Sequence, residues 1–263
     1  MPARDAVIQV EDLVVEYKTR RGMVRALNGI TFSVKRGECV GFIGPNGAGK
    51  SSTLKTLMGF HFPSSGQVRL FGHAPGDIAS RQRTGYLPEV SLYYPFMKGR
   101  ELLELYGGLQ GLTRSELKQR IPDLLERVGL SGKGETYIRE YSKGMQQRLG
   151  IAQAIIADPE LLIFDEMSSG LDPVGRYDLR QVLVEIKDRG ATIFFSSHEL
   201  HEVAALCDRM IIINHGKIIA EEDVPQLMAS IGTGGLEEYV MNLIRPSSPD
   251  RESFSNDEVL AGR

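Results

Sequence analysis

The sequence is poor in cysteine, close to neutral, and without a long apolar run. Its only cysteines, Cys39 and Cys207, form neither a C-x-x-C pair nor a metal-ligand spacing. Both are expected to be reduced, buried thiols of a cytosolic protein, which removes disulfide scaffolds and cysteine-held metals from consideration. Net charge is −3, from 31 Lys and Arg against 34 Asp and Glu. That balance gives no basic footprint, so no nucleic-acid partner is expected. No apolar stretch approaches the ~20 residues needed to span a bilayer. The Met-Pro-Ala-Arg-Asp start also lacks an apolar signal region. Any membrane task would therefore be performed from a partner's surface. Internal repeats and heptad runs are absent too, so one functional unit is expected in these 263 residues. Hydrophobic and charged contents of 41% and 25% are ordinary for a globular protein.

What the chain does have is Gly44-Pro45-Asn46-Gly47-Ala48-Gly49-Lys50-Ser51. An apolar run, Cys39 to Ile43, precedes it, and Ser52 to Met58 follows with helical character. Strand, Gly-rich loop and helix start, ending in Lys-Ser, make a P-loop, G-x-x-x-x-G-K-[ST]. Glycines let successive backbone N–H groups point at phosphate, and the helix N-terminus adds partial positive charge. Lys50 would reach the β- and γ-phosphates, and the Ser51 hydroxyl would ligate Mg²⁺. Gly44 to Ser52 is thus the expected nucleotide-binding stretch.

The remaining chain alternates strands with helices. Val7 to Tyr17 reads as an early strand, followed by two short strands, Val24 to Leu27 and Ile30 to Val34. Tyr17 is open to two readings, a core aromatic or a stacking face for adenine. Gln67 to Phe71 reads as another strand. From Lys98 to about Ala157 the spacing is helical, as in a helical subdomain inserted at about 90–157. Leu161 to Phe164 resumes the buried-strand pattern. It leads to a helix from Asp178 to Arg189, a strand from Ala191 to Ser196 and a helix from Glu199 to Cys207. A hairpin turning at Asn214-His215-Gly216-Lys217 follows. The expected fold is α/β: a P-loop NTPase core with a mostly parallel sheet, an N-terminal antiparallel β subdomain and an inserted helical subdomain. Residues 5–230 would form this domain and 231–263 an extension whose polar tail, from Arg245, is expected to be disordered.

Three further places carry chemistry. Asp165 closes an apolar strand, as a Mg²⁺-coordinating carboxylate of a P-loop NTPase must, and the adjacent Glu166 can polarise water. His198 ends the Ser196-Ser197-His198 strand terminus; a sensor of the γ-phosphate and a structural histidine both remain open. Tyr141 to Arg148 begins a helix, predicted over Met145 to Ala157, with Ser142 and Gly144 at its start. That suits an anion, or an ordinary Ser cap.

Taken in order, the P-loop, Ser142-x-Gly144-x-Gln146-Gln147-Arg148, Leu161-Leu162-Ile163-Phe164-Asp165-Glu166, Ser169-Gly170-Leu171-Asp172-Pro173 and Ser196-Ser197-His198 resemble an ATP-binding cassette (ABC) ATPase. The resemblance spans about residues 5 to 225. It implies ATP and Mg²⁺ as cofactors and a head-to-tail dimer, with each ATP between one copy's P-loop and the other's signature loop. By the same matching, Ser142 and Gly144 would touch the partner's γ-phosphate and Asp172 would cross the interface. Glu166 matches the catalytic base, His198 the switch histidine and Tyr17 the adenine-stacking aromatic. This sequence departs from the family pattern at several positions. Tyr141, Lys143 and Met145 replace the usual Leu, Gly and Gln, Glu89 replaces a Gln, and Met167 replaces a Pro. Glu89 can still ligate Mg²⁺ or its water, and no reactive group is lost, so an active ATPase is expected.

Leu87-Pro88-Glu89, Tyr93-Tyr94-Pro95 and Tyr141 to Met145 are similar to ABC subunits of the drug- and polymer-exporter class. That class pairs the ATPase, dimerised with a second copy or a paralogue, with a separate all-helical permease. The expectation is an ATP-hydrolysing exporter subunit, cytoplasmic and peripheral at the inner face of the membrane through its permease. The alternative is a soluble, non-transport ABC ATPase acting on ribosome or DNA. Two cassettes in one chain, or long coiled coils, would mark that alternative, and neither is present.

Overall fold

The fold is taken from a computed structural model, which describes residues 5–20, 22–232 and 235–245. The tail expected to be disordered lies, from residue 246 on, outside the described residues.

Alternation of apolar and polar side chains builds a small antiparallel sheet ordered β2-β1-β4, from β1 (Ala6–Thr19), β2 (Gly22–Lys35) and β4 (Ser65–Leu70). Two short strands are expected over 24–34, and one fourteen-residue strand is found. Gly29, at φ 75°, takes up the break as a bulge: the register passes from Leu13 opposite Ile30 to Val14 opposite Asn28. Without a Cβ, a glycine bends the strand here and does not end it.

The second sheet has the order β5-β6-β7-β3-β8-β9. Its strands are β3 (Cys39–Ile43), β5 (Thr84–Leu87), β6 (Leu161–Asp165), β7 (Thr192–Ser197), β8 (Arg209–Asn214) and β9 (Lys217–Asp223). All pairings are parallel except β8 with β9. The central strands read as unbroken apolar runs because both faces are covered. Val40, Phe42, Ile163, Phe194 and Ile211 point towards the small sheet, where Phe32 stacks on both Phe42 and Phe194, which meet each other tilted. Cys39, Ile43, Leu162, Phe164, Ile193 and Phe195 point to the opposite, helix-covered core. Both cysteines are buried and free. Burial, and then the neighbouring Cys39, push the Cys207 thiol up from its ordinary pKa.

The helices are α1 (Lys50–Leu57), α2 (Ile78–Arg81), α3 (Gly99–Leu109), α4 (Arg114–Arg127), α5 (Lys143–Ile155), α6 (Pro173–Asp188), α7 (Leu200–Leu206), α8 (Val224–Ile231) and α9 (Gly235–Ile244). Helices α3 to α5 form the expected helical part around Leu102, Leu103, Leu117, Ile121 and Leu149. Helix α6 starts five residues before the periodicity announces it. Asp172 caps it by accepting from Gly175 N (2.8 Å), and Pro173 fits the first turn, where no N–H partner is needed. Packing also runs past residue 230: Leu236 and Val240 of α9 are buried in the helical-side core, and Tyr239 donates to Glu222. Strand β5 is not signalled by the sequence, since four residues containing a glycine show no clear period. A carboxylate clamp helps hold it. Glu160 receives Arg83 Nε at 2.5 Å and also pairs with Arg36, and these guanidiniums, Arg83 first, draw its pKa down to about 2.

Candidate functional site

Parallel pairing brings three strand ends together. Asp165 at the end of β6 lies opposite Ser196 of β7, and Ser197 lies opposite Ile43, the last residue before the Gly-rich loop. Open parallel sheets bind ligands in such a crevice beyond the carboxyl ends of their strands. Here it is a cleft of about 640 Å³.

Gly44 to Gly47, Gly49 to Ser52, Glu89, Glu166 and His198 all line this cleft, together with Ala26 and Ser169. Ala48 is buried beneath the loop. The loop needs its glycines. Gly49 has φ 114°, and a Cβ on Gly44 would stand 2.1 Å from the Ile213 carbonyl. Gly49 caps α1 without any side-chain bond, and the first turn holds no acidic residue. The α1 N-terminus thus carries its partial positive charge uncapped towards the cleft, which fits phosphate. Below the loop, Gly216 N donates to Ala48 O (2.9 Å) and Asn28 N donates to Gly216 O (2.8 Å). The β8–β9 turn therefore braces both the loop and β2.

Lys50 is buried, donating to Gly44 O at 2.7 Å and standing 3.7 Å from Glu166 Oε1. The other Glu166 oxygen lies 2.6 Å from His198 Nδ1, whose N–H donates, because an ionised carboxylate only accepts. Two cationic or donor groups thus flank one carboxylate. The buried Asp165 accepts from Ser196 Oγ (2.7 Å) and from Ser51 Oγ (3.4 Å). A hydroxyl and a carboxylate this close are the hard oxygen donors that Mg²⁺ takes. Among the described residues no group of three or more His, Cys, Asp or Glu is arranged to hold a metal. A Mg²⁺ site here would therefore need phosphate oxygens as well, the usual manner for this ion. Glu89, exposed, faces the same cleft.

Tyr17, Ser142, Gly144 and Asp172 do not line the cleft. The Tyr17 hydroxyl donates to Ser52 Oγ (3.1 Å), and its ring meets His61 edge-on at 4.9 Å. Ser142 caps α5 by accepting from Met145 N (3.2 Å) and is exposed. Gly144 lies beside the Gly170 carbonyl, 3.3 Å from where its Cβ would be. Gly144 thus stands against the turn that leads to the exposed Asp172. The departures from the family pattern are accommodated. The Tyr141 hydroxyl donates to Lys133 O (2.7 Å) against Gly99, the Lys143 stem lies over Gly170, and Met167 is buried, its carbonyl accepting from Gln147.

Sequence reasoning did not single out Ala26, Ser169 or the Ser196 hydroxyl. Ser196 holds Asp165 and also accepts from Glu166 N (3.1 Å). Its position directly before Ser197-His198 was visible, but its partner lies thirty-one residues away and follows only from strand order.

Comparison with known proteins fits this geometry. The family profile described as ABC transporter matches residues 27–169. The chain is 44% identical to an uncharacterised ABC transporter ATP-binding protein of Nostoc sp., over 87% of this chain and 70% of that one. It is 35% identical to Nod factor export ATP-binding protein I of Ralstonia nicotianae, over 89% and 72% of the two chains. A solved ATP-binding subunit of an ABC transporter superposes with TM-score 0.81 at 32% identity, covering 91% of this chain and all of that one.

Proposed function

The chain belongs to the ABC transporter family as an ATP-binding, ATP-hydrolysing protein, and from that premise we propose that it energises an exporter by closing on ATP as a head-to-tail dimer beneath a separate membrane permease. One observation carries the transport reading. Beside the cleft, between the sheet and the helical part, lies a groove of about 710 Å³ lined by Tyr86, Leu92, Tyr93, Tyr106 and Leu109. Leu92 in its lining is 90% exposed, and Phe96, further along the same loop, 68%, while Tyr93 and Met97 pack inward. An exposed apolar surface of this kind suits a protein partner. No described helix is long and apolar enough to cross a membrane, and in this reading the membrane-spanning part is another chain. Export is the direction borne by the name of the Ralstonia relative.

In this reading the loop N–H groups and Lys50 hold the β- and γ-phosphates, and Tyr17 takes the adenine. Ser51, Asp165 and Glu89 would hold Mg²⁺, which neutralises charge on the phosphates. Binding of phosphate draws Lys50 from Glu166, whose freed carboxylate accepts the proton of the attacking water. That water's oxygen bonds to the γ-phosphorus as the bond to ADP breaks. His198 keeps Glu166 oriented and donates to the γ-phosphate. Ser142 and Gly144 close the site from the partner copy, with Asp172 at the interface; their separation from the cleft within one chain supports this. The domain limits of 5–230 and the extension from 231 belong to the same reading, as does a cytoplasmic position at the membrane's inner face.

The test is to replace Leu92 and Phe96 together by Glu in the full chain. The variant should hydrolyse ATP alone as the parent does, yet no longer co-purify with a polytopic membrane protein. Stable association with ribosomes and none with membranes would reverse the reading.

A further inference from the structure

Glu202, the third residue of α7, is a buried carboxyl that none of the steps above uses. Its side chain is 5% exposed, and its helix neighbours Val203 and Leu206 are buried core residues. Burial raises its pKa, and the Ser168 and Ser197 hydroxyls act against that rise. Glu199 raises it further, while Arg176 lowers it from a distance, being itself paired with Glu199 at 3.0 Å. An apolar residue would fill the same volume without the cost of desolvating a carboxyl.

The hydroxyls near it are not arbitrary. Ser197 directly precedes His198, and Ser168 lies two residues after Glu166; both are buried. The Ser197 hydroxyl donates to Glu202 Oε2 (3.3 Å) and accepts from Glu199 N (2.9 Å), which closes the turn bearing His198. A hydroxyl has a single proton, so the carboxylate that takes it leaves the lone pairs for the Glu199 N–H. On the other side, Ser168 belongs to the turn in which Ser169 N donates to Glu166 O (3.1 Å) and Leu171 N to Ser168 O (3.1 Å).

We propose that Glu202 is a positioning residue for ATP hydrolysis: bound to the Ser197 hydroxyl, it fixes the turn that bears His198 at one spacing from the Glu166 turn. It acts through the contact between His198 Nδ1 and Glu166 Oε2. The proposal rests on the assignment of Glu166 and His198 to hydrolysis and is independent of permease and dimer. Sub-ångström misplacement of a catalytic pair lowers turnover and leaves ground-state binding of the nucleotide nearly unchanged.

The test uses the full chain with Mg²⁺ and ATP. Glu202→Gln should lower kcat by about tenfold with KM for ATP within about twofold. Ser197→Ala, which removes the observed bond to Glu202, should lower kcat in the same manner. The imidazole NMR signal of His198, one of five histidines and assigned by its loss in His198→Ala, should move in Glu202→Gln while those of His73 and His215 stay. A folded Glu202→Gln protein with parental kcat, or one whose loss leaves the His198 signal unmoved, overturns the proposal. Should Glu202→Gln unfold, Ser197→Ala decides, and parental kcat in it overturns the proposal. Parental activity in Glu166→Gln and His198→Ala would instead refute the underlying assignment, whatever Glu202 does.

Discussion

Glu166 occupies left-handed backbone space, φ 54°, where a non-glycine residue costs about 1–3 kcal/mol. Its N–H is held by both the carbonyl and the hydroxyl of Ser196, and the conformation turns its carboxylate between Lys50 and His198. Strain maintained by surrounding bonds at a reactive group points to use of that group in the chemistry. Glu166→Gln keeps the shape and loses the proton acceptor. Turnover should fall by about 10²–10⁴-fold while ATP still binds, measured by phosphate release and by equilibrium dialysis. Parental turnover in that variant would remove Glu166 from proton transfer. At this scale, reactive residues are legible where the pattern is local: Asp165-Glu166 follow an apolar strand, and Lys50-Ser51 close a Gly-rich loop. Ser196 and Glu202 are not, because each takes its meaning from a partner brought alongside by the pairing of β6 with β7.

The β8–β9 hairpin shows the same division at the scale of elements. Its existence is written in the sequence as two apolar runs around Asn214-His215-Gly216-Lys217. Its use is not, because the turn's contacts are with Ala48 and Asn28, far away in the chain. His215 and Gly216 both have positive φ, 47° and 74°, which matches a two-residue turn joining strands of right-handed twist. A Cβ on Gly216 would stand 2.6 Å from the Ala26 carbonyl. Gly216→Ala should therefore destabilise the fold by about 2–3 kcal/mol in urea titration. It should also weaken ATP binding, because the Gly-rich loop loses its brace. Reduced stability with unchanged ATP affinity would show that the hairpin supports the sheet and not the loop. The missed strand β5 and the early start of α6 have their own causes. A four-residue strand is too short to show a period, and a helix begun by Asp172-Pro173 starts on capping chemistry before its apolar stripe appears.

For the molecule as a whole, the question is whether the cleft and the Ser142–Gly144 surface serve one ATP from two copies. Two lesions can separate the possibilities. Lys50→Ala removes the buried cation of the cleft. Ser142→Asp retains the cap on α5, since Asp accepts from the helix N–H groups as well as Ser does, but sets a negative charge where a partner's phosphate would lie. Each variant alone should be inactive in a head-to-tail dimer, because each carries its lesion into both sites. Mixed in equal amounts, half the dimers would pair one of each. Such a mixed dimer concentrates both lesions in one site and leaves the other with an intact cleft and an intact Ser142. The mixture should thus recover about a quarter of the parental ATPase rate if the sites turn over independently. A chain that completed its site alone would show no recovery on mixing, since neither variant could supply what the other lacks, and that result would refute the shared site.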